Sequence, residues 1–193
     1  AVILGTALAE NGTLRKLNLS ANDKITNIGW RAIFSWLQSV YTRLENLSLE
    51  STTLDDATAN LLGNILANST YLRVLNLSSI YATTTEGLRS VFDALQSPRC
   101  ILQELDLCSD ELDNEEVTLL WNSLTNNYVL KRLKLRDNYI NASGWEAFSA
   151  VLQNANSALE IIDLAQNTID DGAMVSFASS LRRNSKLHTL ILN

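Results

Sequence analysis

The chain has little of what enzymes and metal sites are built from. One histidine, His188, occurs in 193 residues. A lone imidazole makes no metal site, and any Ser/His/Asp or Cys/His triad would have to use it as the base. It stands beside the last apolar segment and reads as a surface side chain. The two cysteines, Cys100 and Cys108, have no histidine or cysteine neighbours at zinc-ligand spacing. Seven glycines are scattered singly, so no Gly-rich loop cradles a phosphate. The expectation is a chain that is not an enzyme and uses no cofactor.

Other absences bound the surroundings. No apolar run approaches the roughly 20 residues that span a bilayer, so no membrane insertion is expected. The opening "AVILGTALAE" has no basic residue and does not read as a signal peptide. A net charge of −6 and a pI near 4.8 argue against nucleic acid and against anionic membrane as partners. Asn-x-Ser/Thr sequons occur at Asn11, Asn18, Asn46, Asn68, Asn76 and Asn141. Three of them lie in recurring strand text, so they do not argue for secretion. The cysteines flank a segment that reads as a strand, which holds them beyond the roughly 6 Å a disulfide allows. Two reduced thiols fit a reducing compartment, and a cytoplasmic location is expected.

What is present is ordered. Apolar residues make up 46% and charged residues 19%, enough for a continuous core. The pattern LxxLxL begins at Leu14, Leu44, Leu72, Leu102, Leu130, Leu159 and Leu187, at separations of 28 to 30 residues. Eight residues after each of the first six starts comes Asn22, Thr52, Ile80, Asp110, Asn138 or Asn167. An amide there can bond the backbone of the turn leaving the strand. Thr52 and Asp110 can do part of that, and Ile80 cannot. An apolar residue usually returns two positions later: Leu54, Leu112, Ile140, Ile169, and Ile25 after one inserted residue.

The rest of each unit has helical period. Core faces are predicted at Trp30, Ile33 and Leu37; at Val117, Leu120 and Leu124; and at Gly144, Phe148 and Leu152 with Trp145 beside them. Trp30, Trp121 and Trp145 read as core, whereas the pattern does not place Trp36. Thr83-x-x-Glu86, Asp113-x-x-Glu116 and Ser143-x-x-Glu146 read as capping boxes. Asp55–Asp56 and Asp170–Asp171 read as carboxylates at helix N-termini rather than as acid–base pairs. Each unit is therefore strand, turn, helix and return. One unit cannot bury its apolar face, so units must stack. Strands pack about 4.8 Å apart and helices about 10 Å apart, so the stack must curve with the strands inside.

LxxLxLxxN followed by a helix, repeated at 28 to 30 residues, resembles the leucine-rich repeat, and its length is similar to the ribonuclease-inhibitor subclass. "LQSPRCILQELDL", Leu95 to Leu107, is also similar to repeats in the sensor arrays of NOD-like receptors. The resemblance covers essentially the whole chain. It implies an α/β curved solenoid, a horseshoe section with a parallel β-sheet on the concave face and α-helices on the convex face, and protein partners. The chain is not Cys-rich as the mammalian ribonuclease inhibitor is, so ribonuclease binding does not carry over. It has no nucleotide-binding signature of its own. One array over residues 1–193 is expected, with six full repeats and a partial repeat at each end. Val2 to Leu14 aligns with Asn60 to Leu72 as a helix tail, and the chain stops one strand into a seventh unit. The expectation is a section of a longer array whose uncapped ends associate with further repeats or neighbouring chains.

Function must then lie on surfaces. The third, fifth and seventh positions of each unit face the concave side. The third column is Lys16, Asn46, Val74, Glu104, Arg132, Ile161 and Thr189. The fifth is Asn18, Ser48, Asn76, Asp106, Lys134, Asp163 and Ile191. The seventh is Ser20, Glu50, Ser78, Cys108, Arg136 and Ala165. Glu104 should pair with Arg132, and Lys134 should lie between Asp106 and Asp163. Arg136 has no acidic neighbour in its column and is the most available base. Ile161 and Ile191 could form a small apolar anchor. These eight residues, Glu104, Asp106, Arg132, Lys134, Arg136, Ile161, Asp163 and Ile191, are the expected partner-binding set. A second candidate, Ile80–Tyr81, reads better as a rearranged turn with both side chains tucked in. The expected function is a non-enzymatic protein–protein interaction scaffold binding on its concave face. Alternatives are a sensor segment of a NOD-like receptor, a GTPase activator of the Ran-activating type, and a structural subunit of a larger assembly. The GTPase-activator class carries an acidic tail and an essential loop arginine, and neither is identifiable in this sequence.

Overall fold

The computed structural model describes residues 1–154 and 157–193. Among these residues, seven three-residue strands alternate with seven helices. The strands are β1 (Lys16–Asn18), β2 (Asn46–Ser48), β3 (Val74–Asn76), β4 (Glu104–Asp106), β5 (Arg132–Lys134), β6 (Ile161–Asp163) and β7 (Thr189–Ile191). The helices are α1 (Val2–Leu8), α2 (Asn27–Leu37), α3 (Asp56–Asn68), α4 (Thr85–Ala94), α5 (Asn114–Leu124), α6 (Ala142–Gln153) and α7 (Asp171–Leu181). The strands form one parallel sheet in sequence order, so each unit pairs only with its neighbours. The result is a curved leucine-rich-repeat solenoid, with the sheet inside and the helices outside.

Each strand starts two residues into LxxLxL. Its central residue therefore points to the core, and its outer two point to the concave face. These central residues are Leu17, Leu47, Leu75, Leu105, Leu133, Ile162 and Leu190; the inner five are buried, and the two at the ends of the sheet are part-buried. Register is uniform: Lys16 pairs with Asn46, then Val74, Glu104, Arg132, Ile161 and Thr189. The third and fifth concave columns read from the sequence are thus real rows of neighbours.

Aromatic side chains fill the space between helices and sheet. Trp121, Phe148 and Phe177 stack in succession, and Trp145 meets Phe148 and Phe177 edge-on. Three indoles also tie units together. Trp30 donates to the Thr53 carbonyl, Trp121 to that of Gly144 and Trp145 to that of Thr168, at 3.0, 3.1 and 2.9 Å. A buried indole N–H needs such a partner. Trp36 joins the core, with its Nε1 buried and unpaired.

The turn after each strand repeats one backbone device. Ala21, Ser51, Ser79, Ser109, Asp137 and Gln166 have positive φ, and none is glycine. Their N–H groups each donate to a carbonyl of the next unit, for example Ser51 to Ser78 and Ser109 to Arg136, both at 2.9 Å. Lateral hydrogen bonding holds these residues in a conformation that non-glycine residues enter at a cost. In the next position Asn138 donates to the Leu107 and Leu135 carbonyls and accepts from the Asp110 and Leu112 amides. Asn167 and Asn22 do the same work in part, and Thr52 donates to Leu49.

Two expected helix starts are corrected. The capping box at Asp113 and Glu116 is present, with both reciprocal bonds. In α4 the N-cap is Thr84 rather than Thr83, because the Thr83 hydroxyl donates to the Leu54 carbonyl of the preceding unit. In α6 the N-cap is Asn141 and Ser143 lies inside the helix. There the neighbouring unit intervenes: Asn114 donates to the Asn141 side chain and accepts from the Asn141 and Gly144 amides. Asp55 and Asp170 cap α3 and α7, accepting from Thr58 and Ala173.

Candidate protein-interaction surface

Concave residues of units four and five form one ion-pair cluster. Lys134 Nζ lies 3.0 Å from Asp106 Oδ2 and 3.2 Å from Glu104 Oε1. Arg132 Nη1 lies 3.4 Å from Glu104 Oε2. Burial alone would lower the Lys134 ammonium, but the hydrogen bonds and charges of Asp106 and Glu104 outweigh it and raise it above the ordinary lysine value.

Two members of the expected ladder stand apart. Asp163 is beside Lys134 in register but makes no ion pair with it, because Lys134 turns toward the two carboxylates of β4. Asp163 instead accepts from the Ala165 amide at 3.0 Å. Arg136 is not idle either: its Nε donates to Gln166 Oε1 at 2.9 Å, while its guanidinium stays exposed and without a carboxylate among the described residues. Gln166 lies outside the columns considered in the sequence, so that contact was not legible there. Ile161 and Ile191 are both part-exposed on adjacent strands, but in different columns, with Thr189 and Asp163 as their direct partners.

The polar half of the sheet is also largely self-bonded. The Ser20 and Ser48 hydroxyls meet at 2.8 Å, and Asn76 donates to Glu50 at 3.3 Å. Asn18, Asn76, Asp106 and Asp163 each accept from the amide two residues on. That turn accounts physically for the Asn-Leu-Ser text of two sequons: the asparagine carbonyl closes the strand end. A hollow of about 360 Å³ runs over this half, with Val74 among its lining and Glu104, Asp106 and Lys134 at one end.

A second charge row escaped the sequence reading. The second position of each unit is Arg15, Glu45, Arg73, Gln103, Lys131, Glu160 and His188. Arg15 lies 3.6 Å from Glu45, Lys131 2.8 Å from Glu160, and His188 Nε2 3.8 Å from Glu160. Comparing that column as the inner ones were compared would have revealed it. Of the Ile80–Tyr81 pair, Ile80 packs on the core but Tyr81 is exposed, bridging to Thr53 through its backbone, so only half of that turn is tucked in.

Chemistry is sparse. Cys100 and Cys108 are both free thiols. Burial, with the hydrogen bond and charge of Asp106, pushes Cys108 up to about 12, far from thiolate reactivity. Among the described residues no group of three or more His, Cys, Asp or Glu side chains is placed to hold a metal ion. Asp110 is the anomalous carboxyl: burial pushes it up to about 8, the charge of Asp106 adds to this, and the Ile80 and Ser79 amides oppose it. Its Oδ2 is buried without a partner. Among the described residues no helix is long and apolar enough to cross a membrane.

A curved parallel sheet of seven in-register strands, with the leucines of each LxxLxL turned to the core, defines the class: a leucine-rich-repeat solenoid. More narrowly, the chain is a ribonuclease-inhibitor-like leucine-rich-repeat array whose repeats are also similar to those of NACHT proteins. It is 31% identical over 189 residues to mouse (Mus musculus) NACHT, LRR and PYD domains-containing protein 14, covering 98% of this chain and 19% of that protein. It is 29% identical over 161 residues to pig (Sus scrofa) ribonuclease inhibitor, covering 83% of this chain and 35% of the inhibitor. The chain thus spans about a fifth to a third of these two relatives. The fold also matches the solved actin-binding site 2 of leiomodin-1, with a TM-score of 0.60 at 19% identity over 70% of this chain and 76% of that one. No family model matches the chain.

Proposed function

We propose that this chain is a non-enzymatic protein-interaction scaffold that binds a protein partner on the concave face, over strands β4 to β7. The contact set is Glu104, Asp106, Arg132, Lys134, Arg136, Ile161, Asp163 and Ile191. The supporting observation is the ion-pair cluster around Lys134. Its charges are held in place by one another, so a partner meets a preorganised surface and loses little side-chain freedom on binding. Beside it, Arg136, Asp163 and the part-exposed isoleucines keep capacity for new contacts. Mixed charge of this kind acts mainly on partner choice and association rate. The two reduced thiols fit a reducing, cytoplasmic setting.

The test is charge reversal. Arg132→Glu with Lys134→Glu should weaken a captured protein partner by tenfold or more, through repulsion from Glu104 and Asp106 as well as lost contacts. A double reversal on the convex helices should leave that affinity intact. Binding that survives the concave reversal sinks this site.

A second reading is favoured by the similarity, over 98% of this chain, to a fifth of the NACHT protein: a sensor segment of a NOD-like receptor. The surrounding reading frame decides it, since that reading requires a nucleotide-binding domain upstream.

A further inference from the structure

A groove of about 440 Å³ opens away from the concave face, between the C-terminal ends of α2 and α3. Its origin is a matter of helix spacing. A β-carbon on Gly5 would meet the Ala32 carbonyl, so α1 and α2 approach closely; a β-carbon on Gly63 would meet the Ser90 carbonyl, so α3 and α4 do too. α2 and α3 thus each pack tightly on the neighbour away from the groove, and they are the least closely packed pair of adjacent helices. The volume is that of an ordinary ligand pocket.

The lining combines three kinds of group. Val40, 80% exposed at the rim, and the Tyr71 ring supply apolar surface over a floor of the buried Leu37 and Ile65. Asn64 and Asn68 turn their amide nitrogens back to the Asn60 and Asn64 carbonyls, both at 3.0 Å. Their side-chain carbonyls are left for a donor. Arg43 lies 4.5 Å above the Tyr71 ring centroid, and its Nη1 donates to the Val40 and Thr42 carbonyls at 2.9 Å each. Among the described residues it has no carboxylate partner, in a chain of net charge −6. The guanidinium is thus fixed in direction, while its remaining N–H groups have no partner among the described residues.

We infer that this groove docks an extended acidic peptide segment of a protein partner, a site separate from the concave face. Asn64 and Asn68 are one helical turn apart, with β-carbons about 5–6 Å from each other. Same-side N–H groups of an extended chain recur at about 6.6 Å, close enough for both amides to accept from one peptide. A carboxylate one or two residues along pairs with Arg43, and an adjacent large aliphatic or aromatic side chain lies on Val40 and Tyr71. Arg43 selects for the carboxylate by charge-assisted hydrogen bonds.

The experiment selects from a random linear peptide library displayed on phage against the 193-residue chain. Enriched peptides are then synthesised and their affinities measured by fluorescence anisotropy. Expected are sequences with Asp or Glu within two residues of Leu, Ile or Phe, which lose about tenfold or more on Arg43→Glu, consistent with a charge-assisted contact. Arg43→Gln, which removes the charge but keeps amide donors, should lose less and provides a second variant should Arg43→Glu lower the melting temperature. The concave reversal Arg132→Glu with Lys134→Glu should leave these affinities unchanged. Enriched peptides without a carboxylate, equal binding to both Arg43 variants, or no enrichment each overturn the groove. Loss on the concave reversal alone also overturns it, and leaves the concave reading standing.

Discussion

At the residue scale, the position after the strand turn shows how one side chain serves two units. Asn138 satisfies donors and acceptors of its own unit and of the preceding one. Asp110 occupies the same position one unit earlier but has no amide to donate. Its Oδ1 accepts from the Ile80 amide at 2.7 Å, and its Oδ2 is buried alone. The folded carboxyl therefore holds its proton up to about pH 8, against an ordinary value of 3.8. Between those two pH values the folded state binds a proton that the unfolded chain has released, so this group's contribution falls as pH rises from about 4 to 8. Asp110→Asn supplies the missing donor at any pH. It should stabilise the protein by about 1–3 kcal/mol at pH 8, the cost of an unsatisfied buried polar group. The gain over wild type should shrink as pH is lowered toward 4. Urea unfolding of both proteins at pH 5 and pH 8 measures this; an equal difference at the two values contradicts it.

At the element scale, helix starts depend on the neighbouring unit as much as on local text. The three S/T/D-x-x-E matches are equivalent on paper, yet only Asp113 and Glu116 make the box. Thr83 is diverted to Leu54, and Ser143 sits within α6, whose start is bonded to Asn114. Asp113→Ala should therefore cost about 1 kcal/mol, the usual worth of a capping side chain. Ser143→Ala, at a helical site with alanine favoured, should cost nothing or stabilise slightly. Thermal melts of the two variants separate these outcomes, and equal losses would return Ser143 to a capping role. Strands, core faces and helix spans were legible because apolar periodicity marks them directly. Which of several hydroxyls or carboxylates caps was not, because that choice is made by groups about 27 to 30 residues away.

At the scale of the whole molecule, helix spacing is set by a few close approaches. Gly63→Ala drives a β-carbon into the Ser90 carbonyl of α4 and should destabilise by about 1–3 kcal/mol, as overpacking does. Gly172→Ala meets nothing nearer than Asp170 Oδ1 at 3.5 Å and should be neutral or stabilise by about 0.5 kcal/mol. Calorimetry on the pair tests whether close approach, rather than glycine as such, matters at position 63. The concave surface is likewise a collective product. Glu104, Arg132 and Lys134 were predictable as neighbours because strand register follows the repeat. That Lys134 would choose β4 over Asp163, and that Arg136 would bond Gln166, depended on side-chain reach across strands and turns.

The sequence alone determined the repeat, the parallel register and the inward rows of leucine, because a period of 28 to 30 residues leaves only one way for successive units to bury their apolar faces. It also determined which residues share the concave columns. Only the tertiary structure decided which charges pair, which residues cap, and where neighbouring helices part to open a groove. Those outcomes turn on distances of an ångström or less between groups in different units, and a one-dimensional pattern carries no such distances.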